Sequence, residues 1–388
     1  MRILAIADDT TGAIEVGAKF AMAGVSTLVA TGANAECDRD GIVVDLQTRH
    51  LSPWQARERV LQLAGEAIEA GVPYLFKKTD STLRGHIAVE FQALVEAFPE
   101  RPLLYVPAYP RMGRTVKNGE LRVHGAGLAE TAFAADRLNP SLQGYIPGLL
   151  SEGCGAPVLT ASTGERILEL LAAVPGGVII LCDGTTDDDL RSIAEALAAS
   201  ARDCIVAGTA GFCEPWVNAL PIERTFHGEV PSVRRCLAIG GSLHPASSAA
   251  IYRAAGAGIP VISIADQAAG DDLTAAALAE ALSVHSWVSL TTTGTCPESV
   301  VQRMGALAAR AIESQPVDGV AVFGGDTTLG VLEALGVSVV EPLRDLLPGV
   351  PVSLIQHGDR RLALITKAGG FGDAGTLLAI RETLKDGS

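Results

Sequence analysis

The side chains best suited to chemistry gather in five short turns. Two are acidic and each follows an apolar run: Ala7-Asp8-Asp9-Thr10-Thr11-Gly12-Ala13 and Lys77-Lys78-Thr79-Asp80-Ser81-Thr82-Leu83-Arg84-Gly85. Three are rich in glycine: Gly240-Gly241-Ser242, Gly324-Gly325-Asp326-Thr327-Thr328 and Lys367-Ala368-Gly369-Gly370-Phe371-Gly372. Acidic and basic side chains together suit a polyhydroxy acid, because carboxylates accept from hydroxyls and guanidinium groups donate to a carboxylate. Glycine turns let backbone N–H groups come close to phosphates. The acidic turns lie in the N-terminal half and the glycine turns in the C-terminal half. One half then reads as the holder of a small polar molecule and the other as the holder of a nucleotide, which is the division found in a kinase.

Asp8 and Asp9 stand where a first strand ends and a first helix begins, the edge at which ligands gather in open α/β sheets. Capping that helix would use one Asp; two in succession exceed the need. In the second turn Asp80 can accept from hydroxyls, Ser81 and Thr82 can donate and accept, and Arg84 can grip a carboxylate in a bidentate fork. A solvated charged loop is the plain alternative. Thr48-Arg49-His50, after a strand expected at Ile42–Gln47, adds a second guanidinium on the same sheet edge. A lone glycine pair after a strand is more often a tight turn than a phosphate site, but three on one edge reinforce one another. Ser242 and Thr327 would add hydroxyl donors there. The chain has no G-x-x-x-x-G-K-[ST], G-x-S-x-G or H-E-x-x-H, and its histidines show no metal-ligand spacing.

These turns need strands and helices to position them, and both alternate through the sequence as in parallel α/β sheets. Strands are expected at Arg2–Ala7, Ile42–Gln47, Leu103–Pro107, Val178–Asp183 and Cys204–Ala207. Ala13, Val16, Gly17, Phe20 and Ala21 share one helical face until Gly24. Ser52-Pro53-Trp54-Gln55 is a capping box with proline at the first helical position. Between Pro107 and Pro157 the pattern turns irregular, as in a functional loop or a small excursion. Periodicity is lost over Leu220–Val233, then restarts with strand Cys236–Gly240, a helix from Pro245, strands Val261–Ala265 and Trp287–Thr292, helix Glu298–Ser314 and strand Val320–Phe323. The expected fold is α/β: two domains, 1–225 and 234–388, each with a mostly parallel sheet flanked by helices and with a cleft between them.

Bulk properties narrow the classes. At 388 residues the chain exceeds one ordinary core, and 48% hydrophobic against 19% charged residues describes a well-buried protein rather than a disordered one. A net charge of −14 repels nucleic acid. A few local cations and backbone donors can still outweigh that field for a small anion. The seven cysteines, odd in number and without a C-x-x-C pair, read as free thiols of a reducing compartment. The N-terminus reads as a first strand rather than a secretory signal, and no apolar run reaches the roughly 20 residues of a membrane span. The expected location is cytoplasmic; the oligomeric state, homo-oligomer included, is left open.

Taken in order, A-D-D-x-T-G-A, K-x-D-S-T-L-R-G, Pro107-Ala108-Tyr109-Pro110-Arg111-Met112-Gly113-Arg114-Thr115 and the G-G-D-T and K-x-G-G-F-G turns resemble the four-carbon acid sugar kinase family across almost the whole chain. Ala368 departs from the family's usual serine, and Gly241-Ser242-Leu243-His244-Pro245 matches its G-S-x-S-P turn loosely. The resemblance implies a sugar-acid-binding N-terminal domain, a nucleotide-binding C-terminal domain, and ATP-dependent phosphorylation, usually at the terminal hydroxyl of threonate, erythronate or a 3-oxo-tetronate. It further implies substrate contacts at Asp8, Asp9, Arg49, Asp80, Ser81, Thr82, Leu83 and Arg84, and nucleotide contacts at Ser242, Gly324, Gly325, Asp326, Thr327 and Gly370. The expected mechanism has Arg49 and Arg84 on the carboxylate, Asp9 and Asp80 on the hydroxyls, and Asp80 or else Asp9 as proton acceptor. Magnesium would bridge the phosphates, with Asp326 a candidate to hold it and helix capping the alternative. A sensor without turnover, or a ligase acting through an acyl phosphate, are the competing readings.

Overall fold

The computed structural model describes residues 1–31, 38–135, 142–200, 202–242, 244–264, 270–292 and 298–385. Ala265 (the expected end of a strand), Leu243, Cys37 and Cys296 lie outside the described residues. The chain divides into two compact units, Met1–Thr225 and Phe226–Ser388, and both are α/β.

In the first unit eight strands are hydrogen-bonded side by side in the order β2 (Thr27–Thr31), β3 (Gly41–Asp45), β1 (Ile3–Ala7), β4 (Tyr74–Lys78), β11 (Ile205–Gly208), β5 (Leu103–Val106), β10 (Ile179–Cys182) and β9 (Val158–Ala161). All these pairings are parallel. Helices α1 (Thr10–Met22), α2 (Pro53–Glu69), α3 (Ile87–Ala97), α4 (Ile146–Gly153), α5 (Gly164–Ala173), α6 (Asp187–Ser200) and α7 (Ala210–Ala219) accompany them. After β1 the chain first builds β2 and β3 on one side, then crosses to β4 on the other. Crevices form where the strand order reverses in this way, outside the carboxyl ends. The register sets Ala7 beside Asp45, and Ile6 beside Lys77, so the segments after β3, β1 and β4 leave the sheet together. Phe20 of α1, Phe76 of β4 and Trp216 of α7 lock the first helix to this sheet, with ring centroids 6.2 Å (Phe20–Trp216) and 5.1 Å (Phe76–Trp216) apart. Each such ring contributes roughly 1.5–3 kcal/mol by burial.

The irregular stretch expected between Pro107 and Pro157 is more ordered than its sequence suggests. It holds a small antiparallel sheet of β6 (Arg114–Lys117), β7 (Glu120–Val123) and β8 (Ala126–Gly127), followed by α4. The hairpin turns place Asn118 and His124 in the left-handed region, which glycine normally takes.

In the second unit the order is β13 (Val261–Ile264), β14 (Trp287–Thr292), β12 (Cys236–Gly240), β15 (Gly319–Phe323), β18 (Arg360–Lys367), β17 (Val350–His357) and β16 (Val339–Leu347). The first five are parallel; β17 and β16 add an antiparallel margin. Its helices are α8 (Pro245–Gly256), α9 (Asp271–Val284), α10 (Glu298–Ser314), α11 (Gly325–Ala334) and α12 (Thr376–Lys385). Gly240 lies beside Phe323, and Phe323 beside Lys367. Three adjacent strands therefore end in line, and each runs straight into one of the glycine turns.

Candidate functional site

The first unit carries a nearly dry cluster of charges at the ends of β1, β3 and β4. Asp8, Arg49 and Asp80 are buried, while Asp9 and Arg84 are half-buried. Asp9 caps α1: its Oδ1 accepts from the Gly12 N–H at 3.1 Å and its Oδ2 from the Thr11 hydroxyl at 2.8 Å. Asp8 plays no part in that cap. Its Oδ2 accepts from Arg49 Nε at 2.8 Å, and its Oδ1 is buried without a hydrogen-bond partner. Arg49 Nη2 approaches Asp9 Oδ1 at 2.9 Å and Asp80 Oδ1 at 3.4 Å, but as charge contacts not aligned for hydrogen bonding. Asp8 Oδ1 thus lacks a hydrogen bond outright and Arg49 Nη2 is held by charge alone, whereas both oxygens of Asp9 and of Asp80 are bonded. A buried polar group left without a hydrogen bond costs on the order of 1–3 kcal/mol.

Asp80 is saturated by contrast. Arg84 grips both of its oxygens, Nη2 to Oδ1 at 2.8 Å and Nε to Oδ2 at 3.0 Å. The Thr82 N–H and hydroxyl add bonds to Oδ2 at 3.0 and 2.5 Å. Ser81 is half-buried on the same turn, and Leu83 is buried with a left-handed φ of 62° that the turn imposes. Burial would raise the Asp80 pKa, but Arg84 and Arg49 outweigh it and hold the carboxyl well below its ordinary value. Burial likewise opposes Arg49 and Lys78 at Asp9, which is also lowered. A carboxylate so stabilised and so fully bonded is a poor proton acceptor, which argues against Asp80 and Asp9 in that part and leaves Asp8 as the open one.

Several partners were not among the residues singled out in the sequence. Asp45, the last residue of β3, accepts from the Thr10 hydroxyl at 2.7 Å and the Gln47 N–H at 3.0 Å. Burial pushes its pKa up to about 7, and the charges of Asp9 and Asp8 add to the shift. Beneath the arginines, Lys77 Nζ pairs with Glu90 Oε2 at 3.0 Å and Glu90 Oε1 takes the Thr48 hydroxyl at 2.5 Å. That chain of contacts pins the segment carrying Arg49 to β4 and α3. Arg114, buried on β6, and Arg84 both lie 5.7 Å from the centre of the Phe133 ring, so the small antiparallel sheet borders the cluster. Lys77, Lys78 and Arg114 all stood inside the quoted segments; only their burial separates them from surface charge.

In the second unit the three glycine turns pack against one another. A Cβ on Gly241 would meet Thr327 Oγ1 at 2.2 Å. Gly324 adopts φ 114°, and a Cβ there would sit 3.1 Å from that of Ser242. The Ser242 N–H donates to Phe323 O at 3.2 Å. Ser242, Gly325 and Gly370 are half-buried, Gly324 and Thr327 buried, and Asp326 exposed in the first turn of α11. Backbone this close, free of side chains and at the start of α11, fits a phosphate group. No set of three or more His, Cys, Asp or Glu able to hold a metal occurs among the described residues. A magnesium ion carried by phosphates needs only one or two protein carboxylates, and Asp326, in the first turn of α11, is a carboxylate beside these turns.

Known proteins divide along the same line. Residues 3–216 match the family description of a sugar-binding N-terminal domain, and residues 245–377 that of a nucleotide-binding C-terminal domain. A D-threonate kinase of Bordetella bronchiseptica is 30% identical, covering 98% of this chain and 97% of its own length. This chain belongs to the four-carbon acid sugar kinase family. A second member, a 3-oxo-tetronate kinase of Pseudomonas fluorescens, is 28% identical over 95% of this chain and 94% of that protein. A crystal structure from Salmonella typhimurium LT2 shares the fold, with a TM-score of 0.77 at 22% identity, over 98% of this chain and 99% of that one. As a member of the family the chain is a phosphotransferase. The sugar-binding match encloses the whole Asp8–Arg84 cluster; Ser242 falls just ahead of the nucleotide-binding match. No described helix is long and apolar enough to cross a membrane.

Proposed function

We propose that this chain transfers the terminal phosphoryl group of ATP to a hydroxyl, the terminal one, of a four-carbon sugar acid of the threonate, erythronate or 3-oxo-tetronate class. The observation that carries the reading is the unequal bonding of the buried cluster: Asp8 Oδ1 has no hydrogen-bond partner and Arg49 Nη2 only charge contacts, while both oxygens of Asp80 are gripped by Arg84. An acid bearing both a carboxylate and hydroxyls completes both at once. Arg49, flanked by Arg84, takes the carboxylate. Asp8 orients a hydroxyl and accepts its proton as the oxygen attacks. Asp80 holds the turn that presents Thr82 and Arg84, and Asp9 steadies Arg49 while capping α1.

The glycine turns of the second unit receive the nucleotide, through Ser242, Gly324, Gly325, Thr327 and Gly370. Phosphoryl transfer needs positioning and charge neutralisation more than covalent help. Magnesium, when bound with the nucleotide, supplies part of that neutralisation, with Asp326 as its carboxylate.

A panel of tetronic and 3-oxo-tetronic acids with ATP, read by ADP release and by phosphorus NMR of the product, tests the reading. ADP release with one acid and a stable phosphate monoester on its terminal carbon is the expected result. Acid binding without ADP release would point to a sensor. A product trapped by hydroxylamine would show that the carboxylate, not a hydroxyl, is the acceptor.

A further inference from the structure

Lys367 is the last residue of β18 and is wholly buried. A lysine so placed ordinarily needs a carboxylate partner, yet its surroundings are acceptors of another kind. Nζ donates to the Phe371 carbonyl at 2.8 Å and the Ser247 hydroxyl at 3.0 Å, and it lies 3.1 and 3.3 Å from the carbonyls of Ala368 and Gly369. The Phe323 ring sits 4.9 Å below it, and Ser247 in turn donates to the Gly369 carbonyl at 3.1 Å. Burial alone acts on its pKa, lowering it to about 8. The ammonium is thus held by the turn that directly follows it in sequence.

That arrangement has a consequence for the other side of the same peptides. In a trans peptide the C=O and the next N–H point in opposite directions, and this chain has no cis peptide among the described residues. Drawing the carbonyls of Ala368, Gly369 and Phe371 toward one cation turns the N–H groups of Gly369, Gly370 and Gly372 away from it. We propose that Lys367 is a positioning residue for the nucleotide site: its buried ammonium templates the 368–372 turn so that these three N–H groups face a phosphate. The inference rests on the reading of the second unit as the nucleotide-binding half. A lysine suits the task because its ammonium is compact and has three donors, whereas a guanidinium is a planar fork made for carboxylates. The side chain acts through the backbone and touches no reacting atom.

The test compares wild type with Lys367→Met and Ser247→Ala, titrating ADP, inorganic pyrophosphate and the preferred tetronic acid into each. Lys367→Met is expected to raise the dissociation constants of ADP and pyrophosphate at least about tenfold, the scale of one charge-assisted hydrogen bond. The KM of the acid stays within about twofold. Ser247→Ala, a milder change that keeps the ammonium, weakens the same two ligands by a few-fold and guards against a Lys367→Met protein that fails to fold. If the variants bind ADP like wild type, or lose ADP and acid in parallel, the role of Lys367 is overturned and the nucleotide reading stands. If wild type binds pyrophosphate but not ADP, the nucleotide reading fails, while a selective loss of pyrophosphate in the variants upholds the templated turn. If wild type binds neither, both fall.

Discussion

Asp8 and Asp80 carry the same functional group in opposite states of bonding, and substitution separates them. Asp8→Asn keeps the shape but cannot take up a proton, so kcat is expected to fall by roughly 10²–10⁴ with ADP affinity unchanged. Some stability is lost as well, because Asp8 also pairs with Arg49 at 2.8 Å. Asp80→Asn instead takes away the counter-charge gripped by Arg84 and approached by Arg49, and should cost about 3–5 kcal/mol of stability, as breaking a buried pair does. Urea unfolding and steady-state kinetics on both variants decide it. An Asp8→Asn enzyme with kcat near wild type, beside a stable and inactive Asp80→Asn, would return the proton to Asp80. Asp45 makes a different prediction because its pKa is raised to about 7 rather than lowered. The unfolded chain gives up that proton near pH 4 and the folded chain near 7, so the stability linked to it is complete below pH 4 and lost as pH rises to 7. Asp45→Asn, neutral throughout, should gain on wild type by an amount that grows from pH 5 to pH 8. A difference in unfolding free energy that stays flat over this range would count against a buried, late-titrating carboxyl.

At the scale of elements the glycine turns are built for contact, and one methyl group tests this. Gly241→Ala would set a Cβ 2.2 Å from Thr327 Oγ1, forcing Thr327 or the 240–242 turn to move at a cost of about 1–3 kcal/mol. Calorimetric titration should show ADP affinity down at least about tenfold with acid affinity intact; unchanged ADP binding would remove these turns from the nucleotide site. Such turns could be read from sequence because glycine after an apolar run is a local signal. The same holds for the capping box at Ser52-Pro53-Trp54-Gln55, which opens α2 as expected with Gln55 and Ser52 bonded reciprocally. What local signals do not carry is strand direction and burial. The antiparallel pair β16 and β17 gave no sign of its orientation beyond Gly349, whose φ of 69° turns the hairpin. The hairpin of β6 and β7 was marked locally by Asn118-Gly119, both at positive φ, as Asn-Gly turns are; the next turn hid behind a histidine, His124 at φ 50° before Gly125. Asp45 looked like an ordinary strand end, and its importance comes from a neighbour 35 residues away, Thr10. Lys367 stood at the head of a glycine turn, but nothing local showed that it is buried with its ammonium folded back onto that turn.

For the whole molecule, the formal charge of −14 means that any attraction for two anionic reactants has to be local, supplied by arginines in one unit and by backbone amides and a buried lysine in the other. Each ligand should therefore leave its own footprint. In hydrogen exchange read by mass spectrometry, a bound tetronic acid is expected to slow exchange in peptides covering 8–13, 46–51 and 79–85, since a ligand stabilises the states that bind it. ADP should slow exchange over 241–242, 324–328 and 368–372. The 368–372 turn is the informative peptide, because its amides are the ones turned outward by Lys367, and protection there should vanish selectively in Lys367→Met. Protection of the 79–85 turn by ADP alone, with the glycine turns unaffected, would reverse the division of labour and overturn the assignment of nucleotide and acid to their halves.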